Sequence, residues 1–414
     1  MEKPIFTSLS PNVEGDDILR SLIYFCMPWK WRTGSYPAKI EEEFRVRLGV
    51  PFAYSFESGR SALCAILNQL GLRSGDEVIV QAFTCVAVPN AVLWAGAKPV
   101  YADIDARTFN ISLGEFEKKI MPHTRAVIIQ HTFGFPADMQ KIIAIAHAHN
   151  IFVIEDCAHA LGVFYQGRPM GTFGDAAFFS FGRDKVLSSV FGGVAVTRDE
   201  ALGGKLASFQ KTLPKANLSW AAKQIIHPAL TAFIRSTHCK CAGKIGKIFL
   251  KFLLGLRIIT KAVMPEERKG GQPRWILRQM PNALAAFAYY QMQKLERFNS
   301  HRRKIALRYR ELLAGILAQP LNPDAIYLRY AIRLPNKENI FLKAKKRDIF
   351  LGDWYGQGVA PAGVDYRAIG YDPASCPEAE KAARKVINLP TDIHIGEKEV
   401  ERIVKFLRNN TELV

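Results

Sequence analysis

The sequence lacks the features that mark membrane-spanning, secreted and disulfide-rich proteins. It has no uninterrupted apolar run of about 18 residues, the length that a membrane-spanning helix needs. Its first residues carry acids and no apolar run, unlike a secretory signal. The seven cysteines are scattered and odd in number across 414 residues. We therefore expect reduced thiols in a cytoplasmic protein and no disulfide framework.

Acidic residues are scarce in one segment. The formal net charge is +18, and residues 205–274 contain fourteen Lys and Arg against two acids, Glu266 and Glu267. The rest of the chain is only mildly basic. A nucleic-acid partner is not expected, because no recognised binding motif accompanies the charge. About two thirds of the excess positive charge thus lies in this one segment.

From about residue 50 the sequence alternates between apolar strand patterns and helical patterns. Such alternation predicts an α/β fold whose mostly parallel sheet is covered by helices on both faces. Ligands of these sheets lie at the carboxyl ends of the strands. The predicted strands are residues 76–80, 98–102, 125–130, 151–155, 175–181 and 193–197, and the predicted helices between them are residues 58–70, 85–95, 113–120 and 138–149.

The alternation stops after about Lys205. Residues 211–275 are apolar, basic and poor in strand signals, which predicts a helical insertion. A long helical pattern follows from Met280 to Tyr309. A smaller α/β region then has a strand at 327–334, helices around Ile340 and Glu378, and a last helix at 397–408. We expect a large domain at 1–275 that includes the insertion, and a small C-terminal domain at 276–414.

Two charged residues follow predicted strands, where a ligand site is expected. Asp156 ends the strand pattern Phe-Val-Ile-Glu-Asp, and Lys185 lies shortly after another apolar strand. Enzymes that use pyridoxal phosphate (PLP) need a lysine to hold the cofactor and an acid to keep its pyridine nitrogen protonated. The alternatives are an Asp156 that caps the segment after it and a Lys185 that is simply solvated.

A third element that such a cofactor needs is a phosphate cradle. The segment Ser58-Gly-Arg-Ser61 opens a predicted helix, whose first backbone N–H groups and positive dipole end attract anions. Gly59, Arg60 and Ser61 are the expected donors, and the Ser180 hydroxyl offers another contact. Many helices begin with Ser-Gly, so this motif is weak when it stands alone.

The ordered set of motifs resembles the DegT/StrS-like sugar aminotransferases, which are fold-type-I PLP enzymes. The resemblance covers most of residues 30–200 and returns at 280–309, 376–380 and 388–391. It lies in the runs ESGRSAL (57–63), GDEVI (75–79), GAKPVYADID (96–105), EDCAHA (155–160), SFGRDK (180–185) and Gly192-Gly193.

The resemblance implies an aspartate-aminotransferase-like fold, with a mostly parallel seven-stranded sheet in the large domain and a smaller α/β C-terminal domain. It implies PLP as cofactor, with Lys185 as the Schiff-base lysine, Asp156 as the partner of the pyridine nitrogen and His159 beside the ring. Gly59, Arg60 and Ser180 fall at phosphate-contacting positions. Cys85 stands where relatives stack an aromatic ring on the cofactor, and Phe83 is a candidate to replace that contact. The resemblance also implies a homodimer and a glutamate-like amino donor.

Three functions remain open at this point. The first is an aminotransferase that acts on a keto-sugar, nucleotide-linked as in the family, for glycan or secondary-metabolite synthesis. The second is a PLP enzyme that acts on a lipid-linked sugar or a small keto acid. The third is a non-catalytic, membrane-associated relative, against which the presence of Lys185 argues.

Residues 244–261 form an amphipathic pattern inside the insertion. At about 100° per residue, Lys244, Lys247, Lys251, Arg257 and Lys261 share one arc, opposite Ile245, Ile248, Phe249, Phe252 and Ile259. The pattern is typical of a helix that lies on an anionic membrane, here the inner face. The alternative is a helix packed on its own fold with a solvated basic side.

Other signals are weaker. No metal site is expected, because His238-Cys-Lys-Cys241 lacks a second ligand pair. His131 is a candidate to line the site or to have a structural role. Trp354-Tyr355 and Arg329-Tyr330 are candidates to shape the substrate pocket from the small domain.

Overall fold

A computed structural model describes residues 3–238, 245–256, 258–259, 261–316 and 318–410. Its strands are β1 (Ile5–Phe6), β2 (Phe52–Phe56), β3 (Glu77–Gln81), β4 (Thr84–Cys85), β5 (Lys98–Ala102), β6 (Thr124–Gln130), β7 (Phe152–Asp156), β8 (Phe164–Tyr165), β9 (Arg168–Pro169), β10 (Ala176–Ser180), β11 (Gly193–Thr197), β12 (Arg329–Arg333), β13 (Ile349–Phe350), β14 (Val359–Ala360) and β15 (Val386–Pro390). Its α-helices are α1 (Gly15–Phe25), α2 (Tyr36–Leu48), α3 (Gly59–Gln69), α4 (Ala87–Trp94), α5 (Leu113–Lys118), α6 (Met139–Ala148), α7 (Glu200–Thr212), α8 (Leu218–Ser236), α9 (Ile245–Gly255), α10 (Asn282–Met292), α11 (Leu295–Leu312), α12 (Lys337–Lys346), α13 (Pro377–Lys385) and α14 (Glu397–Arg408).

The large sheet has seven strands in the order β2-β11-β10-β7-β6-β3-β5. β11 is the one strand of this sheet that runs opposite to the other six. The α/β fold with a mostly parallel seven-stranded sheet is therefore confirmed. Along each central strand, successive apolar side chains enter two different cores, as the period of two requires. Val78 and Ile154 lie in one core, whereas Ile79 and Val153 lie in the other.

A smaller α/β unit follows. Its strands β12 and β15 pair antiparallel, while the N-terminal strand β1 pairs in parallel with β13. Helices α11 and α14 pack on this unit through residues such as Ile305 and Ile403. The division at residue 276 stays a prediction. The first helix after it, α10, shares the core of the large sheet through Ala283 and Leu284.

Two predicted helices differ from the structure. The continuous helix expected from Met280 to Tyr309 is divided into α10 and α11, which Gln293 and Lys294 separate. The amphipathic helix expected at 244–261 ends at Gly255, so Ile259 lies beyond it and is buried beside Leu253. Lys244 and Arg257 lie outside the described residues, as do Cys239 and Cys241. Within the described ranges, no helix is both long and apolar enough to cross a membrane.

Candidate active site

A cavity of about 770 Å³ lies at the carboxyl ends of β6, β7 and β10, where Gln130, Asp156 and Ser180 line it. This is the position that parallel α/β sheets offer to ligands. Lys185 and His159 line the same cavity. Residues that are far apart in the sequence therefore meet at one place, as predicted from their positions after strands.

Lys185 and His159 are in direct contact. The Lys185 Nζ lies 3.0 Å from the His159 Nε2 and 5.0 Å from the centre of the Trp354 ring. Burial lowers the pKa of Lys185, and the nearby Asp156 carboxylate opposes that effect. Burial also lowers the pKa of His159 well below its ordinary value, and Lys185 adds to that effect. The pair is therefore suited to hold a neutral imidazole beside an amine that deprotonates more readily than usual.

Asp156 is almost fully buried at the end of β7. Its Oδ1 accepts a hydrogen bond of 3.0 Å from the Ala158 N–H, so it does cap the following segment. Burial raises its pKa, and the Lys185 ammonium acts in the opposite direction. Asp156 also lines the cavity. The same side chain can therefore cap the following segment and face a bound ligand.

The backbone of Lys185 is fixed by a residue from the N-terminal arm. The Asn12 Nδ2 donates to the Lys185 carbonyl at 2.7 Å and to the Val186 carbonyl at 3.1 Å. Its Oδ1 accepts from the buried Arg302 guanidinium at 2.8 Å. Arg302 also donates to the Val186 carbonyl at 2.6 Å. Neither Asn12 nor Arg302 was predicted from the sequence. No local pattern shows that the N-terminal arm contacts a segment that lies 173 residues later in the chain.

The first turn of α3 forms another side of the cavity. Ser58 is its N-cap and accepts from the Ser61 N–H at 3.2 Å. Gly59 lies against Ser180, because a Cβ on Gly59 would be 2.6 Å from the Ser180 Cβ. Its N–H and that of Arg60 have no acceptor within the helix. Ser61 is fully buried, donates its hydroxyl to Glu57 and is not among the cavity-lining residues.

Arg60 has a structural partner that the sequence did not reveal. Its guanidinium forms an ion pair with buried Glu267 and donates to the Ala262 carbonyl at 2.7 Å. It also lies over the Trp275 ring at 4.8 Å. Arg60 lines the cavity, but its charged end is engaged by the segment that returns from the insertion.

The aromatic residues near the site differ in position from those expected. Cys85 lines the cavity, and burial raises the pKa of its thiol. Phe83 is fully buried, stacks on Phe109 at 5.2 Å and does not line the cavity. Trp354 does line it and stacks on His159 with ring centres 5.5 Å apart. The aromatic ring that stacks on His159 at this cavity therefore comes from the C-terminal part of the chain, while Phe178 and Phe191 also line the cavity.

Two other candidates are structural. His131 is fully buried, contacts Glu155 at 3.2 Å through its Nε2 and accepts from the Ala137 N–H. It does not line the cavity. Glu155 is itself held by the N–H groups of Phe173 and Gly174. Tyr330 is buried in the small-domain core, whereas Tyr355 lines the cavity beside Trp354.

The residues present fit a PLP molecule. A half-buried lysine and a buried carboxylate lie in one cavity, and the first turn of a helix closes against Ser180 through a glycine that leaves no room for a Cβ. The fit rests on this donor set and on the close approach at Gly59. When bound, the cofactor supplies an aldehyde that takes up an amino group and a ring that accepts an electron pair.

Comparisons with known proteins agree with this arrangement. The pattern of the DegT/DnrJ/EryC1/StrS aminotransferase family matches residues 16–230 and 276–408. GDP-perosamine synthase of Escherichia coli O157:H7 is 37% identical over 202 residues, which is 48% of this chain and 55% of that protein. The match thus spans about half the length of that curated relative.

Two longer matches are more distant. The UDP-N-acetyl-3-dehydro-alpha-D-glucosamine 3-aminotransferase of Acidithiobacillus ferrooxidans is 29% identical over 388 residues, 91% of this chain and 88% of that protein. The structure of Helicobacter pylori PseC, an aminotransferase of pseudoaminic acid biosynthesis, superimposes with a TM-score of 0.76. It is 20% identical, and the match covers 98% of this chain and 99% of that one. This similarity confirms the fold.

Proposed function

We propose that this chain, which belongs to the DegT/DnrJ/EryC1/StrS aminotransferase family, moves an amino group from a glutamate-like donor to a keto-sugar. The products are the keto acid of the donor and an amino-sugar, so no oxidant or reductant is needed. The observation that carries the proposal is the cavity in which half-buried Lys185 converges with buried Asp156 and His159. The named relatives act on sugars of GDP and UDP. We therefore expect an acceptor whose sugar is joined to a diphosphate carrier, in glycan or secondary-metabolite synthesis.

Each residue has a role that its surroundings support. The Lys185 amine, whose pKa is lowered by burial, takes a proton from the reacting carbon and returns it. Asp156 holds the pyridine nitrogen proton, and neutral His159 orients the Lys185 amine across their 3.0 Å contact. The first turn of α3 and the Ser180 hydroxyl bind the phosphate. Arg60 contributes to phosphate binding through its backbone N–H, since its side chain is engaged with Glu267.

The experiment is a half-reaction followed by absorbance. Glutamate added to the purified holoenzyme should convert a band at about 410–430 nm into one at about 330 nm, the change from aldehyde to amine cofactor. Lys185→Ala should fail to turn over while it still binds the cofactor. Conversion at the wild-type rate by Lys185→Ala would overturn the proposal.

We also propose that the protein is a homodimer in the cytoplasm. Helix α1 and the turn after it expose Leu19, Leu22, Ile23 and Trp29, an apolar face that a second copy would cover. Light scattering of the purified protein should give twice the mass of one chain. A monomer at micromolar concentration would contradict this proposal.

We further propose peripheral contact with the inner face of an anionic membrane through residues 244–261. Helix α9 exposes Ile245, Ile248 and Phe252 by 52%, 65% and 58%, next to exposed Lys247 and Lys251. The wild type should float with vesicles that contain phosphatidylglycerol, and Ile248→Glu with Phe252→Glu should not. Leu342→Glu, which changes an equally exposed leucine on α12, is the matched control. Equal flotation of all three proteins would end the idea.

A further inference from the structure

The cavity has a wall that comes from a part of the chain outside the family match. Residues 231–275 are not matched by the family pattern. From this stretch Leu254, Ile259, Val263, Lys261 and Arg268 line the same cavity as Lys185 and Asp156. The insertion is therefore part of the site and not only a surface appendage.

This wall is held firmly on the large domain. Glu267 pairs with Arg60, its Oε2 accepts from the Met264 N–H at 2.7 Å, and its carbonyl accepts from the Asn90 side chain at 2.7 Å. The Trp94 indole N–H donates to the Gly270 carbonyl at 2.8 Å. The Asn90 contact is buried and the others are partly buried, so the wall has a fixed position relative to the cavity.

The chemistry of the wall is unusual for a nucleotide subsite. Among the described insertion residues that line the cavity, none has an aromatic, amide, hydroxyl or carboxylate side chain. A base and a ribose are usually bound through stacking and hydrogen bonding to such side chains, which line this cavity outside the wall, for example Tyr355 and Gln357. Leu254, Ile259 and Val263 instead offer an apolar surface, and Lys261 and Arg268 add two positive charges to it. Such a surface can bind a lipid diphosphate, because the apolar side chains contact its hydrocarbon chain and the cations contact its diphosphate.

The position of the wall agrees with that chemistry. Leu254 lies in the last turn of α9, the helix that also exposes Ile248 and Phe252. Leu254 is itself 41% exposed, so the apolar lining reaches solvent at the edge of the cavity. A helix in the bilayer interface would therefore place this edge beside the lipid.

We propose that the amino acceptor is a keto-sugar joined through a diphosphate to a membrane lipid, with Leu254 and Ile259 contacting the start of the hydrocarbon chain and Lys261 contacting the diphosphate. The inference rests on the proposed aminotransferase function and selects the carrier of its substrate. The same diphosphate chemistry occurs in nucleotide sugars, so the test has one arm for each carrier.

The test measures binding to the amine-loaded holoenzyme by calorimetry, with farnesyl diphosphate as the lipid probe and UDP as the nucleotide probe. Farnesyl diphosphate should bind more tightly than UDP. Leu254→Asn and Lys261→Gln should each weaken the binding of farnesyl diphosphate about tenfold, because each removes one contact to the probe. The UDP affinity should not depend on Leu254.

Two matched variants control for general effects. Leu256→Asn and Lys269→Gln change exposed residues of the same segment that do not line the cavity, and they should leave both affinities unchanged. The proposal is overturned if farnesyl diphosphate fails to bind, if UDP binds more tightly, or if Leu254→Asn and Leu256→Asn behave alike. Conversion of the wild-type cofactor by glutamate is scored separately. Its failure would refute the aminotransferase function, whereas its success without farnesyl diphosphate binding would refute only the lipid carrier.

Discussion

Glu57 lies beneath the first turn of α3, and its titration should be visible in the stability of the protein. The side chain is fully buried. It accepts hydrogen bonds from the Ser61 hydroxyl, from the Arg278 N–H at 2.9 Å and from the Ser58 hydroxyl at 3.3 Å. Burial outweighs these bonds and raises the pKa of Glu57 from 4.5 to about 7.

The sign and size of the effect follow from linkage. A carboxyl group whose pKa is higher in the folded state stabilises the fold at low pH, and that stability is lost as pH rises through the folded pKa. At about 1.4 kcal/mol per pH unit, a rise from 4.5 to about 7 corresponds to about 3 kcal/mol. The loss should occur between pH 4.5 and about 7. Glu57→Gln keeps the shape without the charge and should remove this loss.

The assay is urea unfolding of the wild type and of Glu57→Gln at pH 5 and at pH 8, in matched buffers. The free energy of unfolding of the variant relative to the wild type should increase by about 2–3 kcal/mol from pH 5 to pH 8, since pH 5 already lies inside the range of the loss. Glu296→Gln, whose side chain is 78% exposed, should show no such change. A difference between wild type and Glu57→Gln that does not vary with pH would refute the reasoning.

Two further predictions concern the cofactor site. Gly59→Ala should weaken PLP binding to the apoenzyme about tenfold or more, because the added Cβ would lie 2.6 Å from the Ser180 Cβ. The control in the same titration is Gly204→Ala on α7, where an added Cβ would meet no atom within 4 Å. Asn12→Ala should lower the free energy of unfolding by about 1–3 kcal/mol and slow the glutamate half-reaction, because it removes the side-chain donor to the Lys185 carbonyl and one of the acceptors of buried Arg302. Unchanged urea unfolding and an unchanged half-reaction would show that Asn12 does not position Lys185.

The sequence was sufficient for the parts of the site that depend on local pattern. Asp156 and Ser180 end apolar strands of a parallel sheet, and carboxyl ends of such strands converge. Gly59 lies at the start of α3, a helix that the sequence predicts at 58–70. These positions are set by strand and helix periodicity, so their meeting at one cavity was predictable.

The sequence was insufficient where tertiary contacts decide. Trp354 reaches His159 from the small domain, and Glu267 reaches Arg60 across more than 200 residues. No periodic pattern in the sequence indicates either contact. Phe83 was expected near the cofactor, but its left-handed backbone conformation accompanies a side chain buried against Phe109. The insertion was recognised by its composition, yet its contribution of Leu254 to the cavity depends on how it folds back.

The account depends on Lys185 as the residue that holds the cofactor. The direct measurement is borohydride reduction of the purified holoenzyme, followed by proteolysis and mass spectrometry of the peptides. The account predicts a phosphopyridoxyl group on the peptide that contains Lys185, and its loss when the enzyme is treated with glutamate before reduction. A phosphopyridoxyl group on a different lysine, with Lys185 unmodified, would contradict it.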